Sequence, residues 1–182
     1  VHQALGKGLT LSQRTDISSI IQGAQIFIEQ NADLFGTSTQ QLTLRTAKQF
    51  HDGHTFLLYQ QHMSGLPVIG GDVELELAGA KLIRFGSSAI PRTLGTLAPF
   101  GVSSVDATTE AQRALAMRGL TPARVLTTEQ AVVLRSGPLA SAPRPVWIVR
   151  YETVNPRGRY EITVDGLDRA ILEAHNTILY SK

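Results

Sequence analysis

The alternation of apolar and polar residues is clearest between residues 56 and 77, where it predicts two strands joined by a tight turn. From 72 to 77, acidic and aliphatic residues alternate one by one, a period of two that buries one face of a strand and leaves carboxylates on the other. Residues 56–59 favour strand. Residues 64–67 have the composition of a turn, and Gly70-Gly71 indicates a bulge or a close approach of two backbone segments.

Apolar residues with helical spacing predict one helix over residues 16–35. Thr15 or Asp16 is the expected N-cap, and Gly36 is the expected stop. The apolar positions of this helix are Ile17, Ile20, Ile21, Ala24, Phe27, Ile28, Leu34 and Phe35. Residues 1–15 show no clear period and are expected to be irregular.

The remaining pattern predicts an α+β chain of two small modules, each a helix packed on an antiparallel β-sheet, joined by a Pro/Gly linker. In the first module, residues 1–90, one helix packs on a four-stranded meander. Asp52-Gly53 is a hairpin signal within it. The strands are expected at about 42–50, 54–62, 67–77 and 81–88. Residues 91–104 form the linker.

The second module, residues 105–182, is expected to begin with a helix near 107–118. Asp106 and Thr108 are its cap candidates. Segments 123–127 and 130–135 are extended, and a Pro-rich loop follows them. The last three strands are expected at 146–154, 159–165 and 170–180, because clear turn sequences separate them.

Composition excludes several functional classes. Hydrophobic residues make up 42% and charged residues 18% of the chain, a globular balance. A net charge of +2 without a Lys/Arg run argues against a nucleic-acid partner. The absence of cysteine excludes disulfides and cysteine zinc sites, and no apolar run has the length of a membrane span. The chain starts without Met, so we expect a secreted protein, extracellular or periplasmic, after removal of a signal peptide.

Candidate catalytic groups are few. None of the five histidines forms the His-Glu-x-x-His arrangement of a zinc protease. His51 and His54 remain open as a metal pair across a hairpin, and Glu74 with Glu76 as an acid/base pair. Ser87 lacks the strand-elbow-helix context of a nucleophile. The residues therefore predict a protein that is not an enzyme.

Two stretches of the first module resemble the propeptide module shared by fungalysin-like and thermolysin-like zinc metalloproteases. One is Tyr-Gln-Gln-His-Met-Ser-Gly-Leu-Pro-Val-Ile-Gly-Gly-Asp, residues 59–72. The other is the helix end Glu-Gln-Asn-Ala-Asp-Leu-Phe-Gly, residues 29–36, in which Gln30 replaces a common Glu. Leu34 and Phe35 are interpreted as core residues. The matching positions are Asn31, Asp33, Leu34, Phe35, Gly36, Gln60, Gln61, Gly65, Pro67, Val68, Gly70 and Gly71.

The second module resembles the PepSY module that ends the same propeptides. Residues 146–149, Val-Trp-Ile-Val, and residues 162–165, Ile-Thr-Val-Asp, keep its pattern. The matching residues are Trp147 and Asp165. Residues 166–170, Gly-Leu-Asp-Arg-Ala, replace the usual turn, so the type of turn differs while its place is the same.

The resemblance implies the propeptide of a secreted zinc metalloendopeptidase zymogen, acting as intramolecular chaperone and inhibitor. Its partner would be the cognate catalytic domain. Zinc and calcium are expected only there, with no cofactor in this chain and no nucleic-acid or membrane partner. The extended C-terminal tail is expected to lie in the active-site cleft, with the Lys182 carboxylate approaching the zinc as a further hypothesis. The tail residues are His175, Asn176, Thr177, Ile178, Leu179, Tyr180, Ser181 and Lys182.

Three alternatives remain open. In the first, residues 170–180 are simply the last strand, with a short frayed end. The whole chain fits a free-standing secreted protease inhibitor or binding module of the PepSY type. An enzyme using His51, His54 and a carboxylate is the third.

Overall fold

A computed structural model describes residues 2–91, 95–134 and 142–177, with the side chains of residues 2–7 outside the description. The chain divides into two units, Val1–Gly95 and Thr96–Lys182. Strands predominate in both, and three α-helices lie within the described residues. The prediction of a mixed α and β chain is confirmed in that form. No helix in these residues has the length and apolar character needed to cross a membrane.

Five antiparallel strands form the sheet of the first unit, in the spatial order β1-β5-β4-β3-β2. The strands are β1 His2–Thr10, β2 Leu42–Gln49, β3 His54–Met63, β4 Leu66–Ala78 and β5 Lys81–Ser87. The last four begin and end within about one residue of the ranges expected from alternation. Period-two patterning therefore specifies these strands well.

The first strand was not expected, and the prediction of irregular chain over residues 2–10 is wrong. β1 pairs with β5, but the register shifts between Ala4 and Leu9. Gly8 within this interval has φ +64°. A bulge changes which face successive side chains occupy, so the strand carries no regular alternation that a sequence pattern could reveal.

The expected helix over residues 16–35 is two helices, α1 Ile17–Gln30 and α2 Ala32–Phe35. Asp16 caps α1 as predicted, accepting from Ser19 N at 3.0 Å, and this hydrogen bond holds the pKa of Asp16 below its usual value. The single-helix prediction is wrong at Asn31. Asn31 leaves the helical conformation, with φ −121° and ψ 32°, and its Nδ2 donates to Phe27 O at 2.8 Å beside its own N–H.

The core of the first unit lies between α1, α2 and strands β3 to β5. Phe27, Phe35 and Phe85 contact one another, with ring centroids 5.4 to 6.0 Å apart. The buried hydrophobic residues of this cluster are Ile20, Ala24, Phe27, Ile28, Phe35, Leu57, Tyr59, Val73, Leu75, Leu77, Leu82 and Phe85. Burial of such side chains is the main stabilising contribution to the unit.

Gly23 lies in the interior of α1, where alanine is ordinarily the better residue by about 1 kcal/mol. We expect Gly23→Ala to destabilise the unit instead, by about 1–3 kcal/mol, because the new Cβ would overlap the backbone carbonyl of Leu11. Urea denaturation measures the change. Gln22→Ala, at an exposed position of the same helix, is the control and should be neutral or stabilising. A stabilised Gly23→Ala protein would contradict the packing of Leu11 on α1.

The second unit contains one helix and a sheet of four antiparallel strands in the order β6-β7-β8-β9. The elements are α3 Ser104–Met117, β6 Thr121–Leu134, β7 Pro143–Asn155, β8 Arg157–Asp165 and β9 Ile171–Asn176. Helix α3 packs on one face of this sheet. The buried hydrophobic residues there are Val102, Ala107, Ala111, Leu115, Val149, Tyr151, Ile162 and Val164.

Two details of the second unit correct the sequence analysis. Helix α3 begins before the expected residue 107, because Ser103 Oγ accepts from Asp106 N at 3.1 Å and so caps it. The cap assignment to Asp106 or Thr108 is therefore wrong. The two extended segments expected at 123–127 and 130–135 are one strand, β6. Its register against β7 shifts between Val125 and Thr127. This shift interrupts the alternation of apolar and polar residues, so the sequence pattern resembles that of two separate strands.

Candidate functional site

Strand β9 forms one edge of the sheet of the second unit, and it is the structural context of the expected inhibitory tail. Among the described strands it pairs only with β8, with Asn176 opposite Tyr160. The Thr177 backbone N–H donates to Arg159 O at 2.8 Å, and Thr177 Oγ1 donates to the same carbonyl at 3.2 Å. The chain is therefore held on the sheet as far as Thr177.

One backbone carbonyl on the outer edge of β9 already has a partner. Because Thr177 N–H points toward β8, alternation directs the backbone groups of Ala174 and Asn176 away from it. Arg118, which follows α3, donates from Nη1 to Ala174 O at 2.9 Å. A single long side chain from the helix end therefore covers the middle of this edge of β9.

A line of charged side chains crosses all four strands of this sheet. Arg150 on β7 donates to Glu161 on β8 at 2.7 Å and to Glu129 on β6 at 2.9 Å. Burial lowers the pKa of Arg150, but the hydrogen bonds to Glu161 and Glu129 outweigh this and raise it overall. His175 on β9 places Nε2 3.7 Å from Glu161 Oε1. Side chains as well as backbone bonds thus connect β9 to its neighbours.

The predicted tail is only partly within the described residues. His175 and Asn176 belong to β9, and Thr177 follows them directly. Residues 178–182, which are Ile178, Leu179, Tyr180, Ser181 and Lys182, lie outside the described residues. The role of the tail in inhibition therefore stays a prediction.

The two glutamines of the first resemblance have distinct structural roles. Gln61 is 0% exposed, and its side-chain amide hydrogen-bonds both backbone groups of one residue, Ile90. Its Nε2 donates to Ile90 O at 2.9 Å, and its Oε1 accepts from Ile90 N at 2.7 Å. Gln60 Nε2 donates to Val68 O at 2.6 Å. The Gln-Gln pair thus binds strand β4, where its register against β3 shifts, and the segment around Ile90.

The glycines of the same stretch match its backbone geometry. Gly65 and Gly70 have φ of +80° and +69°, values that favour glycine. A Cβ on Gly71 would lie 2.7 Å from Cγ1 of the fully buried Val68, so this position is a close approach as expected. Pro67 is the second residue of strand β4. These residues shape the β3–β4 hairpin.

The helix-end stretch is only partly a core feature. Phe35 is 2% exposed, but Leu34 is 44% exposed, so the expectation that Leu34 packs in the core is wrong. The break at Asn31 starts a new helical turn, which changes the direction in which Leu34 points. Asp33 lies in the first turn of α2, and Gly36 ends this helix with φ +72°.

Both stretches contact one short segment, residues 87–91. Ser87 Oγ donates to Phe35 O at 2.7 Å, and Ile90 is held by Gln61. A Cβ on Gly36 would lie 3.5 Å from Pro91 Cα. Residues that match the same resemblance from separate parts of the sequence are therefore assembled around a single strand exit.

Trp147 and Asp165 anchor the second unit. Trp147 Nε1 donates to Val102 O at 2.9 Å, and its ring lies 5.0 Å from that of Phe100. Asp165 is 0% exposed. Its Oδ1 accepts from Leu167 N at 2.8 Å, which organises the turn after β8.

The buried Asp165 carboxylate is paired with Arg144. Arg144 Nη2 donates to Asp165 Oδ1 at 3.2 Å. Arg144 Nε lies 2.9 Å from Oδ2, but neither of these two atoms makes a hydrogen bond within the described residues. The ion pair therefore consists of one hydrogen bond, to Oδ1, and one purely electrostatic contact, to Oδ2. It compensates for a carboxylate that would be costly to bury alone.

Two of the side chains considered for catalysis, His54 and Glu76, lie in an ion-pair cluster at the surface. His54 Nδ1 lies 3.6 Å from Glu76 Oε1, and Arg84 Nε is 2.9 Å from Glu76 Oε2. The described residues contain no group of three or more His, Asp and Glu side chains that could hold a metal ion.

Burial raises the pKa of Tyr59 to about 12. Burial also raises the pKa of Asp72, against the opposing charge of Arg45.

Sequence reasoning missed three arginines that determine this geometry: Arg118, Arg144 and Arg150. Each acts on a residue distant in sequence, between 11 and 56 positions away. The residue type alone does not predict these contacts, because arginines are common on protein surfaces. The buried Asp at the end of a strand was the available hint, since such a carboxylate requires a cationic partner.

Comparison with protein-family models gave no match, and comparison with curated proteins gave none either. Among solved structures, the C-terminal domain of YpeB from Bacillus megaterium is similar to 92% of this chain and to 68% of that chain, with a TM-score of 0.47 and 11% identity. At this TM-score and identity the similarity carries no argument about function.

Proposed function

We propose that this chain is the propeptide of a secreted zinc metalloendopeptidase and acts as chaperone and inhibitor of the catalytic domain. In this role the chain is not an enzyme, and it acts by presenting a folded surface and an extended segment to its partner. The alternative is a free-standing secreted inhibitor or binding module of the PepSY type.

The observation that carries this proposal is the assembly of the two resembling stretches around residues 87–91. Gln61 binds both backbone groups of Ile90, and Phe35 accepts from Ser87. Their shared structural task supports a common origin with the propeptide module.

The geometry of β9 supports inhibition by pairing of the tail with an edge strand in the partner's active-site cleft. An extended peptide that lies along such an edge strand forms main-chain hydrogen bonds with it, and its alternate side chains fill pockets. β9 is held up to Thr177 by Arg159 O, so the residues that follow start from a fixed point. Covalent linkage to a catalytic domain raises the effective concentration, so a modest intrinsic affinity is sufficient.

Removal of residues 178–182 tests the inhibitory role. This truncation keeps the Thr177 bonds to Arg159, so β9 retains its pairing. Inhibition of a thermolysin-like endopeptidase by the added chain is measured from the rate of peptide hydrolysis. We expect inhibition by the intact chain and a loss of at least about tenfold in potency after truncation, equivalent to about 1.4 kcal/mol.

The control replaces residues 178–182 by a Gly/Ser segment of equal length, which keeps the backbone but removes the side chains. Unchanged potency of the truncated chain would mean that the folded units inhibit the endopeptidase without residues 178–182. Absence of inhibition by the intact chain would contradict the inhibitory role. The sequence of the precursor distinguishes the two functions. A His-Glu-x-x-His segment encoded downstream supports a propeptide, and a stop codon directly after Lys182 supports the free-standing inhibitor or binding module.

A further inference from the structure

Strand β8 extends further toward the β7–β8 hairpin than the chain that pairs with it on its other side. Strand β9 and Thr177 follow β8 only as far as Arg159. Gly158 and Arg157 lie beyond that point, and both still pair with β7. Two residues of β8 therefore continue the sheet past the last residue that the structure describes next to them.

The backbone groups of β8 point alternately toward its two neighbouring strands, as in any antiparallel sheet. Asp165 N–H donates to Ala170 O, next to β9, at 2.8 Å. Arg159 O accepts from Thr177 N–H, also at 2.8 Å. Because Arg157, Arg159 and Asp165 are separated by even numbers of positions, the backbone N–H and C=O of Arg157 also point toward the side of β9.

The register between β8 and β9 is constant at this end of the sheet. Asn176 lies opposite Tyr160, and the two pairs before it follow the same register. The hydrogen bond from Thr177 to Arg159 keeps this register for one more pair. One further step along both strands leads to position 178 opposite Gly158.

We propose that residues 178 and 179 dock on β8 as a continuation of β9. Ile178 is then opposite Gly158, and Leu179 exchanges backbone hydrogen bonds with Arg157. Pairing ends there, since β8 begins at Arg157. Of the five residues that follow Thr177 in the sequence, two are thus held on the sheet and three extend past it.

The face that Ile178 occupies in this arrangement suits an apolar side chain. Residues opposite each other in a sheet direct their side chains to the same face, so Ile178 lies on the face toward which a Cβ on Gly158 would point. That Cβ would be 2.9 Å from the ring of Tyr160 and 3.6 Å from Nδ2 of Asn176. Tyr160 packs against the buried cluster under α3. A β-branched side chain beside this aromatic ring forms a favourable cross-strand pair.

This docking determines which part of the tail is available to a partner. Thr177 already holds the chain next to the docking position, so a modest interaction is sufficient to fill it. Residues 180–182 then start from the corner of the sheet. If the chain inhibits a protease as proposed above, these three residues enter the cleft, and residues 178 and 179 position them. Only this last step rests on the proposed function.

Amide hydrogen exchange of the isolated full chain, followed by NMR, tests the docking without a protease. We expect the Arg157 N–H to exchange about tenfold more slowly in the full chain than in a chain that ends at Thr177, which corresponds to the loss of one hydrogen bond. Leu179→Pro removes the backbone N–H that points to β8, so the Arg157 N–H should exchange as fast as in the truncated chain. The Gly158 N–H points to β7, so its exchange should stay unchanged and serves as the internal reference.

The matched control is Ile178→Pro, in which the missing N–H points away from β8 in the proposed register. Proline is tolerated at such a position of an edge strand, so the Arg157 N–H should still exchange slowly. Equal exchange of this N–H in the full and truncated chains would overturn the docking, and equal acceleration by the two proline variants would overturn the proposed pairing. Because no protease is present, a chain that fails to inhibit leaves these results unaffected.

Discussion

Replacement of Gln61 by alanine is expected to lower the free energy of unfolding of the first unit by about 4 kcal/mol. The substitution leaves the N–H and C=O of Ile90 without partners in a buried position. Each buried polar group that loses its partner costs about 1–3 kcal/mol, and loss of the side-chain volume adds a cavity. Urea denaturation followed by circular dichroism measures the change.

Gln49→Ala is the control for this experiment. Gln49 also donates from its side chain to a backbone carbonyl, that of Thr15 at 3.2 Å, but in an exposed position. Water replaces that bond, so the cost should stay below about 0.5 kcal/mol. An equally small cost for Gln61→Ala would mean that residues 87–91 are not fixed by this glutamine, and it would weaken the structural basis of the proposed function.

Replacement of Arg144 by alanine is expected to destabilise the second unit by about 3–5 kcal/mol, because it leaves the buried Asp165 carboxylate without its cation. Asp165 is fully buried, and Arg144 is its ion-pair partner at 2.9 Å. The joint substitution Arg144→Met/Asp165→Leu removes both charges and should recover a large part of that loss. Thermal and denaturant unfolding of the three proteins provide the measurement.

Arg113→Ala removes an exposed ion pair with Glu110 on α3 and serves as the reference. Its cost should be about 0.2–1 kcal/mol. If Arg144→Ala were no worse than this reference, the Asp165 carboxylate would have to be hydrated or otherwise compensated, contrary to its burial.

Local patterns predicted the strands from 42 to 88 because turn sequences separate them and because buried and more exposed residues alternate along most of β3 and β4. They failed for β1 and β6, which have no comparable alternation in the sequence and whose register shifts near Gly8 and Val125. They also missed the break at Asn31, since the apolar stripe continues across it. Tertiary contacts, which a local sequence pattern does not contain, determine the structure at β1, at β6 and at Asn31.

The site depended still more on long-range contacts. The resemblance selected Gln61 and Asp165, but not what each one binds. Arg144 and Arg118 act across 21 and 56 positions of sequence, and no local signal identifies such pairs.

The contact of Arg118 with Ala174 O has a consequence for the behaviour of the protein in concentrated solution. An uncovered edge strand recruits identical edges from neighbouring molecules, and this is the first step toward fibrous aggregates. A cation placed over the middle of β9 makes such self-association unfavourable, since two approaching copies would bring like charges together and displace a formed hydrogen bond. We therefore expect Arg118 to disfavour pairing between the β9 strands of neighbouring molecules.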